Sequence, residues 1–396
     1  MTTTVTAPRS GLGARERAAG TGYATLYTFK GAPDGAAPAA GLLTINGVLY
    51  GTTYGGGRVS GCGSGSGSGC GTVFRLHSDG KERIIHRFGE GGDGANPLAG
   101  LTANNGVFYG TTVNGGANGD GAVFDLNAFG AEHVLYSFTG SPDGAKPEAT
   151  LLFEKNVLFG TTYGGGNLQG CIGSPTGCGT AFSVSTTGEE RVLHRFGVRP
   201  DGALPVSSLI LLNHTFYGTT QKRTTNEGGA LCGNGAGCGI VFAMSSSGEE
   251  TVLYRFLTKP DGSAPAAGLT ALNGTLYGTT AYGGEYGKGT VFEVETSGLE
   301  HVLHSFSGHA DGANPFGGLL AVDGVLYGTT LKGGRNGKGT VFKIDTSGTE
   351  RVLHDFGKDT DGASPRGNLA VLDGILYGTT QFGGPSGDGT VFKISP

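Results

Sequence analysis

GVLYGTTLKGGRNGKGTVFKIDTSGTERVLHDF, residues 324–356, is the stretch on which the fold turns. It holds three short runs rich in Val, Leu, Ile, Tyr, Phe and Thr, ending in Val352-Leu353-His354-Asp355-Phe356, and each is bounded by Gly, Asp, Asn or Ser. Runs of β-branched and aromatic residues between such turn formers read as strands. No window offers a helical 3.6-residue period. A further apolar residue, Leu319, precedes the stretch, and Asp323-Gly324 between them supplies the positive φ of a two-residue hairpin. Thr346-Ser347-Gly348-Thr349 makes the reversal into the last run. The unit is a four-stranded antiparallel meander.

The unit recurs. Leu or Phe, then Tyr or Phe, then Gly-Thr-Thr, stands at residues 49–53, 108–112, 158–162, 216–220, 276–280, 326–330 and 376–380. The glycines of these seven copies are 59, 50, 58, 60, 50 and 50 residues apart, so the base period is 50 with three longer members. Each copy is followed by a Gly-x-x-Phe segment, as at Gly71 to Phe74 and Gly389 to Phe392, and by an Asp-Gly-Ala-x-Pro turn such as Asp311 to Pro315, with Ser263 replacing the Ala once. Every unit also has a Leu before its next Gly-Thr-Thr motif, as at Leu42, Leu101 and Leu369.

A lone meander cannot bury both faces, so the units pack on their neighbours, and four-stranded blades around an axis answer that need at this repeat length. The chain order specifies how the ring shuts. It starts with a lone fourth-strand segment, Thr25-Leu26-Tyr27-Thr28-Phe29, and stops after a third strand, Val391-Phe392-Lys393-Ile394. The expected fold is therefore all-β: a seven-bladed β-propeller closed by an N-terminal strand that completes the last blade. Residues 23–396 form one propeller domain, and residues 1–22, polar with Arg9, Arg15 and Arg17, read as a disordered arm.

The motifs Leu-Tyr-Gly-Thr-Thr, Gly-Thr-Val-Phe and Asp-Gly-Ala-x-Pro together resemble the GloVer tandem-repeat family, named for Gloeobacter and Verrucomicrobia, over about residues 23 to 396. The resemblance implies an extracellular or surface setting and brings with it neither an activity nor catalytic residues. Members end in anchoring signals. This chain stops at Pro396 without one, so surface attachment is not carried over.

Composition agrees with many strands and many tight turns: 81 of 396 residues are Gly, against a usual share of about 7%. The formal charge of −5 comes with no basic stripe, which argues against a nucleic-acid partner. No apolar run approaches the roughly 18 residues of a membrane span. The N-terminal arm lacks the apolar core of a secretory signal. A monomer without a cofactor is expected.

In such a meander the connections from strand two to three and from strand four to the next blade emerge on one face, where loops carry function more readily than strands. Three of the two-to-three connections are long: Gly51 to Gly71 is 20 residues, Gly160 to Gly179 is 19 and Gly218 to Gly239 is 21, against 11 in the other four units. Those three loops contain all six cysteines as Cys62 with Cys70, Cys171 with Cys178, and Cys232 with Cys238. Local pairs in an even count read as disulfides, each contributing about 2–3 kcal/mol. The rival is a metal site, but the loops hold no His and the spacing is wide for a zinc knuckle. Disulfides imply an oxidising, extracytoplasmic compartment.

The turn carboxylates Asp34, Asp93, Asp143, Asp201, Asp261, Asp311 and Asp361 reach the same face. A ring of them could bind Ca²⁺; Asp before Gly is also a turn former that satisfies nearby N–H groups, and its seven-fold recurrence suits structure better. His86, His194, His304 and His354 share a fourth-strand position with Tyr27, Tyr136 and Tyr254 and read as packing residues, each in its own blade. No metal ligand set is assigned.

Ligand-binding candidates lie where the repeat breaks its own pattern. Tyr54, Tyr163, Tyr282 and Phe382 stand beside Gly pairs after Gly-Thr-Thr, unit four has Lys222 and Arg223 there, and Glu285, Tyr286 and Arg335 decorate units five and six. Exposed aromatics beside polar groups offer a platform for sugar rings; packing between blades is the alternative. The inner strands, such as Ala40-Gly41-Leu42 and Ala267-Gly268-Leu269, are nearly free of charge apart from Glu154 and Lys155. The expectation is an extracellular propeller that binds a glycan or protein ligand through the disulfide-bearing face. A polysaccharide lyase or hydrolase using that face and a protein-interaction scaffold are the alternatives.

Overall fold

The computed structural model describes residues 22–396 except 61, 63–68, 170, 172–173, 175, 198–200, 224–237, 258 and 359. The expected arm, residues 1–22, thus lies outside the described residues except for Gly22. Among the described residues all regular structure is strand, arranged as seven four-stranded antiparallel sheets plus small two-stranded ribbons. No helix among the described residues is long and apolar enough to cross a membrane. Blade 1 runs Leu43–Ile45, Val48–Thr53, Thr72–His77 and Glu82–Arg87 in spatial order from the axis outward. Blade 7 takes Ala370–Leu372, Ile375–Thr380 and Thr390–Ile394 from the end of the chain and Ala24–Thr28 from its start. The N-terminal strand therefore closes the ring, with Thr28 opposite Thr390 and Ala24 opposite Lys393.

Register explains the repeated motif. The Gly of Gly-Thr-Thr lies directly across from the Phe of the third strand in every blade, as with Gly51 and Phe74, Gly218 and Phe242, and Gly378 and Phe392. The phenyl ring lies over the bare backbone. A Cβ on Gly218 would sit 2.6 Å from Phe242 Cζ and 3.0 Å from Leu209 Cδ2, so only Gly fits. Gly218→Ala is expected to lower unfolding free energy by about 1–3 kcal/mol, the usual cost of overpacking, read as a lowered urea midpoint at unchanged slope.

The two threonines have separate tasks. The first donates its hydroxyl to a carbonyl of the next blade's innermost segment: Thr52 to Ala99 at 2.8 Å, Thr161 to Ser207 at 2.9 Å, and Thr379 to Ala40 at 2.9 Å. The last of these spans 339 residues of sequence and joins blade 7 to blade 1. The second threonine donates within its own blade in every unit but the one holding Thr112, as Thr53 does to the Gly55 carbonyl at 2.8 Å.

Between blades the core is aromatic. The Phe ending each fourth strand meets the third-strand Phe of the next blade edge to face, at 5.0–5.2 Å between centroids, from Phe29 on Phe74 round to Phe356 on Phe392. Such pairs add to the area they bury. Each apolar cluster accordingly straddles two blades, as where Phe29 and Val391 meet Leu49 and Phe74. Gly35–Ala36 of the first Asp-Gly-Ala turn pairs with Gly55–Gly56 at the start of the two-to-three loop, so turns and loops share one face.

Candidate functional site

Two families of polar groups decorate that face: a ring at the blade junctions and a cluster at the mouth of the axial channel. The junction ring begins with the turn aspartates. Asp34 accepts from the backbone N–H of Gly35 and Lys30, and Asp93 from Gly89 and Glu90. The partner seven residues earlier is the alternating Tyr or His of strand four: Tyr27 Oη donates to Asp34 at 2.9 Å, and His86 Nε2 lies 3.1 Å from Asp93. His and Tyr interchange because each can present one donor at the same point. The junction acids thus hold their own turns, as the turn chemistry of Asp predicts.

The third member of each junction comes from the neighbouring blade. Glu82, Glu132, Glu190, Glu250, Glu300 and Glu350 open strand four of blades 1 to 6, and each has a buried Oε1 without a hydrogen-bond partner. Burial, and in each case the charge of a turn Asp, pushes their carboxyls up to about 7. At the seventh junction the place is taken by Tyr23, which stacks on His354 at 3.7 Å. His86, Asp93 and Glu132, and likewise His194, Asp201 and Glu250, each bring three possible metal-ligand atoms within 4.8 Å of one another. His86 and His194 are thus each joined by a carboxylate from the next blade, a convergence that the expectation of packing histidines did not include. Tyr27, Tyr136 and Tyr254 make the same hydrogen bond at 2.9–3.0 Å where His is replaced, so a hydrogen bond to the turn Asp is the role shared by six of the seven units, His304 Nε2 lying 3.5 Å from Asp311.

At the channel mouth the seven units differ in side-chain chemistry. The residue after the turn proline opens each innermost segment, and four of the seven are apolar and aliphatic: Ala39, Leu98, Val206 and Ala266. The other three are Glu148, Phe316 and Arg366, and all of them line an axial cavity of about 410 Å³. The Arg366 guanidinium lies 5.7 Å from the centre of the Phe316 ring, within cation–π range. Tyr282 meets Phe316 edge-on at 6.3 Å. Across the axis in blade 3, burial pushes the Glu148 carboxyl up, against the pull of Arg366 and Lys146. Lys146 donates to Asn114 Oδ1 at 3.1 Å. A cavity with one cation on an aromatic face and one carboxyl opposite can orient a polar ligand and cover its flat side.

The inner lining is therefore not as uncharged as its Ala-Gly-Leu triplets imply. Glu148 and Arg366 precede the triplet position by one residue, and the signal that would have found them is the column of residues following each turn proline. Register also divides the expected aromatic platform. Tyr54 and Tyr163 are the first residue after Gly-Thr-Thr, Tyr282 and Phe382 the second, and successive strand residues point to opposite sides. Tyr163 packs on the core between blades 3 and 4, whereas Tyr282 and Phe382 are 50% and 51% exposed. Tyr54 is half-buried, and its carbonyl accepts from Asn96 Nδ2 at 2.9 Å.

Lys222–Arg223 pairs with Gly202–Ala203 on the same face; the Arg223 side chain lies outside the described residues. Glu285 and Arg335 sit farther out. Their backbone N–H groups donate to Ser305 Oγ at 3.3 Å and Asp355 Oδ1 at 2.9 Å, on the outermost strands of their blades. Tyr286 beside them is 51% exposed. The structure thus brings Tyr282 to the mouth and leaves Glu285 and Arg335 at the periphery.

Disulfides join Cys62 to Cys70 and Cys171 to Cys178, with Cα atoms 5.0 and 5.4 Å apart. Cys238 is disulfide-bonded as well, and its expected partner Cys232 lies outside the described residues.

The sequence pattern described as the Gloeobacter/Verrucomicrobia repeat matches residues 61–234 and 224–396. No curated protein matches the chain. Similar solved structures include a gluconolactonase from Xanthomonas campestris, at 12% identity over 94% of this chain and 89% of that one, with a TM-score of 0.46. A luciferin-regenerating enzyme is similar at 13% identity over 93% and 92%, with a TM-score of 0.42. The tricorn protease is similar at 10% over 87% and 29%, with a TM-score of 0.43. At these identities no chemistry passes from those proteins to this one.

Proposed function

Because the chain belongs to the Gloeobacter/Verrucomicrobia repeat family, whose recurring residues are absorbed by the scaffold, we propose that its function lies in the few positions where the seven units differ: an extracytoplasmic propeller that holds a glycan at the channel mouth. The observation behind this reading is the row Tyr282, Phe316 and Arg366, ring against ring against guanidinium, facing Glu148 across the cavity. Sugar rings offer one apolar face and a rim of hydroxyls, which aromatic faces and charged groups take up together. The disulfides in the surrounding loops suit an oxidising compartment. Phe316→Ala is expected to weaken binding of a glycan identified on an array by at least about tenfold, consistent with loss of a well-packed aromatic contact, while the melting temperature stays put. Unchanged affinity would overturn the reading.

One observation favours a hydrolase or lyase as second reading. Glu148 is a carboxyl that burial holds up against the opposing pull of Arg366 across the cavity, and a carboxyl raised by burial is how a proton donor is prepared. Turnover of a bound polymer that disappears in Glu148→Gln would establish it; binding without turnover leaves the first reading standing.

A further inference from the structure

The second residue after each Gly-Thr-Thr lies in the short ribbon that pairs with the Asp-Gly-Ala turn, above the channel rim. In blades 1 to 3 this position holds Gly55, Asn114 and Gly164, none of them charged. In blades 4 to 7 it holds Lys222, Tyr282, Lys332 and Phe382: base, ring, base, ring on consecutive blades. Tyr282 and Phe382 are half exposed, Lys332 is exposed and Lys222 partly so. Neither ammonium has a hydrogen-bond or ion-pair partner among the described residues, and Arg366 at the inner edge of the arc has the Phe316 ring and the charge of Glu148 across the cavity. Two lysines without a partner among the described residues, and Arg366, which faces the single carboxyl of Glu148, are thus gathered on one side of a mouth in a chain whose net charge is −5.

From this alternation we infer that the ligand is an anionic polysaccharide, its sugar faces on Tyr282 and Phe382 and its carboxylate or sulfate groups on Lys222, Lys332 and Arg366. The inference rests on the glycan reading and narrows it. A neutral chain in the same place would strip water from three cations and return no charge to them, which disfavours it. A polyanion satisfies all three, and its binding weakens with salt because the pairs are close to solvent.

The test compares polymers that share a backbone and differ in charge: polygalacturonate with its methyl ester, and dextran sulfate with dextran. The intact chain is expected to bind at least one charged member about tenfold or more tightly than its neutral counterpart, with affinity falling as salt rises. Lys222→Ala combined with Lys332→Ala removes two partly exposed pairs and should weaken that binding by about tenfold. Lys81→Ala, whose ammonium pairs with Asp79 in a three-to-four turn on the other face, should not change it. The arm that binds assigns carboxylate or sulfate. Equal binding of charged and neutral members overturns the inference and spares the glycan reading. Binding of no saccharide on the array or in this set overturns both.

Discussion

A chain beginning at residue 31 is expected to lose cooperative unfolding under conditions in which the full chain is folded. The missing strand supplies Phe29, wholly buried, to the aromatic contact between blades 7 and 1, and Tyr27, whose hydroxyl holds Asp34. It also covers the outer edge of Thr390–Ile394. Truncating one buried Phe costs about 3–5 kcal/mol, and the deletion adds the lost strand pairing and an open edge that invites aggregation. The loss is therefore comparable to the whole stability of an ordinary domain, about 5–15 kcal/mol. Urea unfolding followed by circular dichroism checks it. A chain beginning at residue 23, which keeps the strand, should melt with the full protein. If the shorter chain also melted at the same midpoint with the same slope, the ring would not depend on its N-terminal strand, and closure by the termini would be wrong.

Raising the pH from about 5 to about 8 is expected to lower stability. The six junction glutamates have folded pKa values of about 7, pushed up by burial and neighbouring turn carboxylates from an ordinary 4.5. A carboxyl whose folded pKa is raised favours folding fully below the unfolded value. That contribution is lost as pH climbs from about 4.5 through 7, because the unfolded chain then releases protons that the folded one retains. Allowing for solvent screening at half-buried positions, about 0.5 kcal/mol per site gives about 3 kcal/mol across the ring. Melting temperature against pH measures the slope. Replacing all six by Gln keeps the neutral shape and should flatten the curve over this window; an unchanged slope in that variant would place the pH dependence elsewhere. The histidines do not act in concert. Burial pulls His304 and His354 below their usual range, whereas at His194 burial is outweighed by the hydrogen bond and charge of Asp201.

The scaffold was legible because seven repetitions expose their own physics. Gly218, Thr219 and Thr220 carry the same tasks in blade 4 as Gly378, Thr379 and Thr380 do in blade 7, so a motif seen seven times is accounted for by one register and two hydrogen bonds. The cysteines were legible for a related reason, since each pair sits inside a single loop and local spacing specifies the partner. The mouth was harder. Tyr163 and Tyr282 look alike in sequence, each an aromatic close to glycines, yet one residue of offset sends one to packing and the other to solvent.

What the sequence by itself determined is the period, the strands, the closing partner and the face that varies, because these depend on contacts between neighbours in the chain or between identical units. What only the tertiary structure decided is which departures from the repeat meet. Glu148, Tyr282, Phe316 and Arg366 are scattered over more than two hundred residues, and each looks like an isolated exception to its column. The ring places blades 3 and 7 across one channel, and the residue after every turn proline lines it. Three unrelated exceptions line one cavity, with Tyr282 against Phe316 at its edge, because a closed ring gives every blade the same centre.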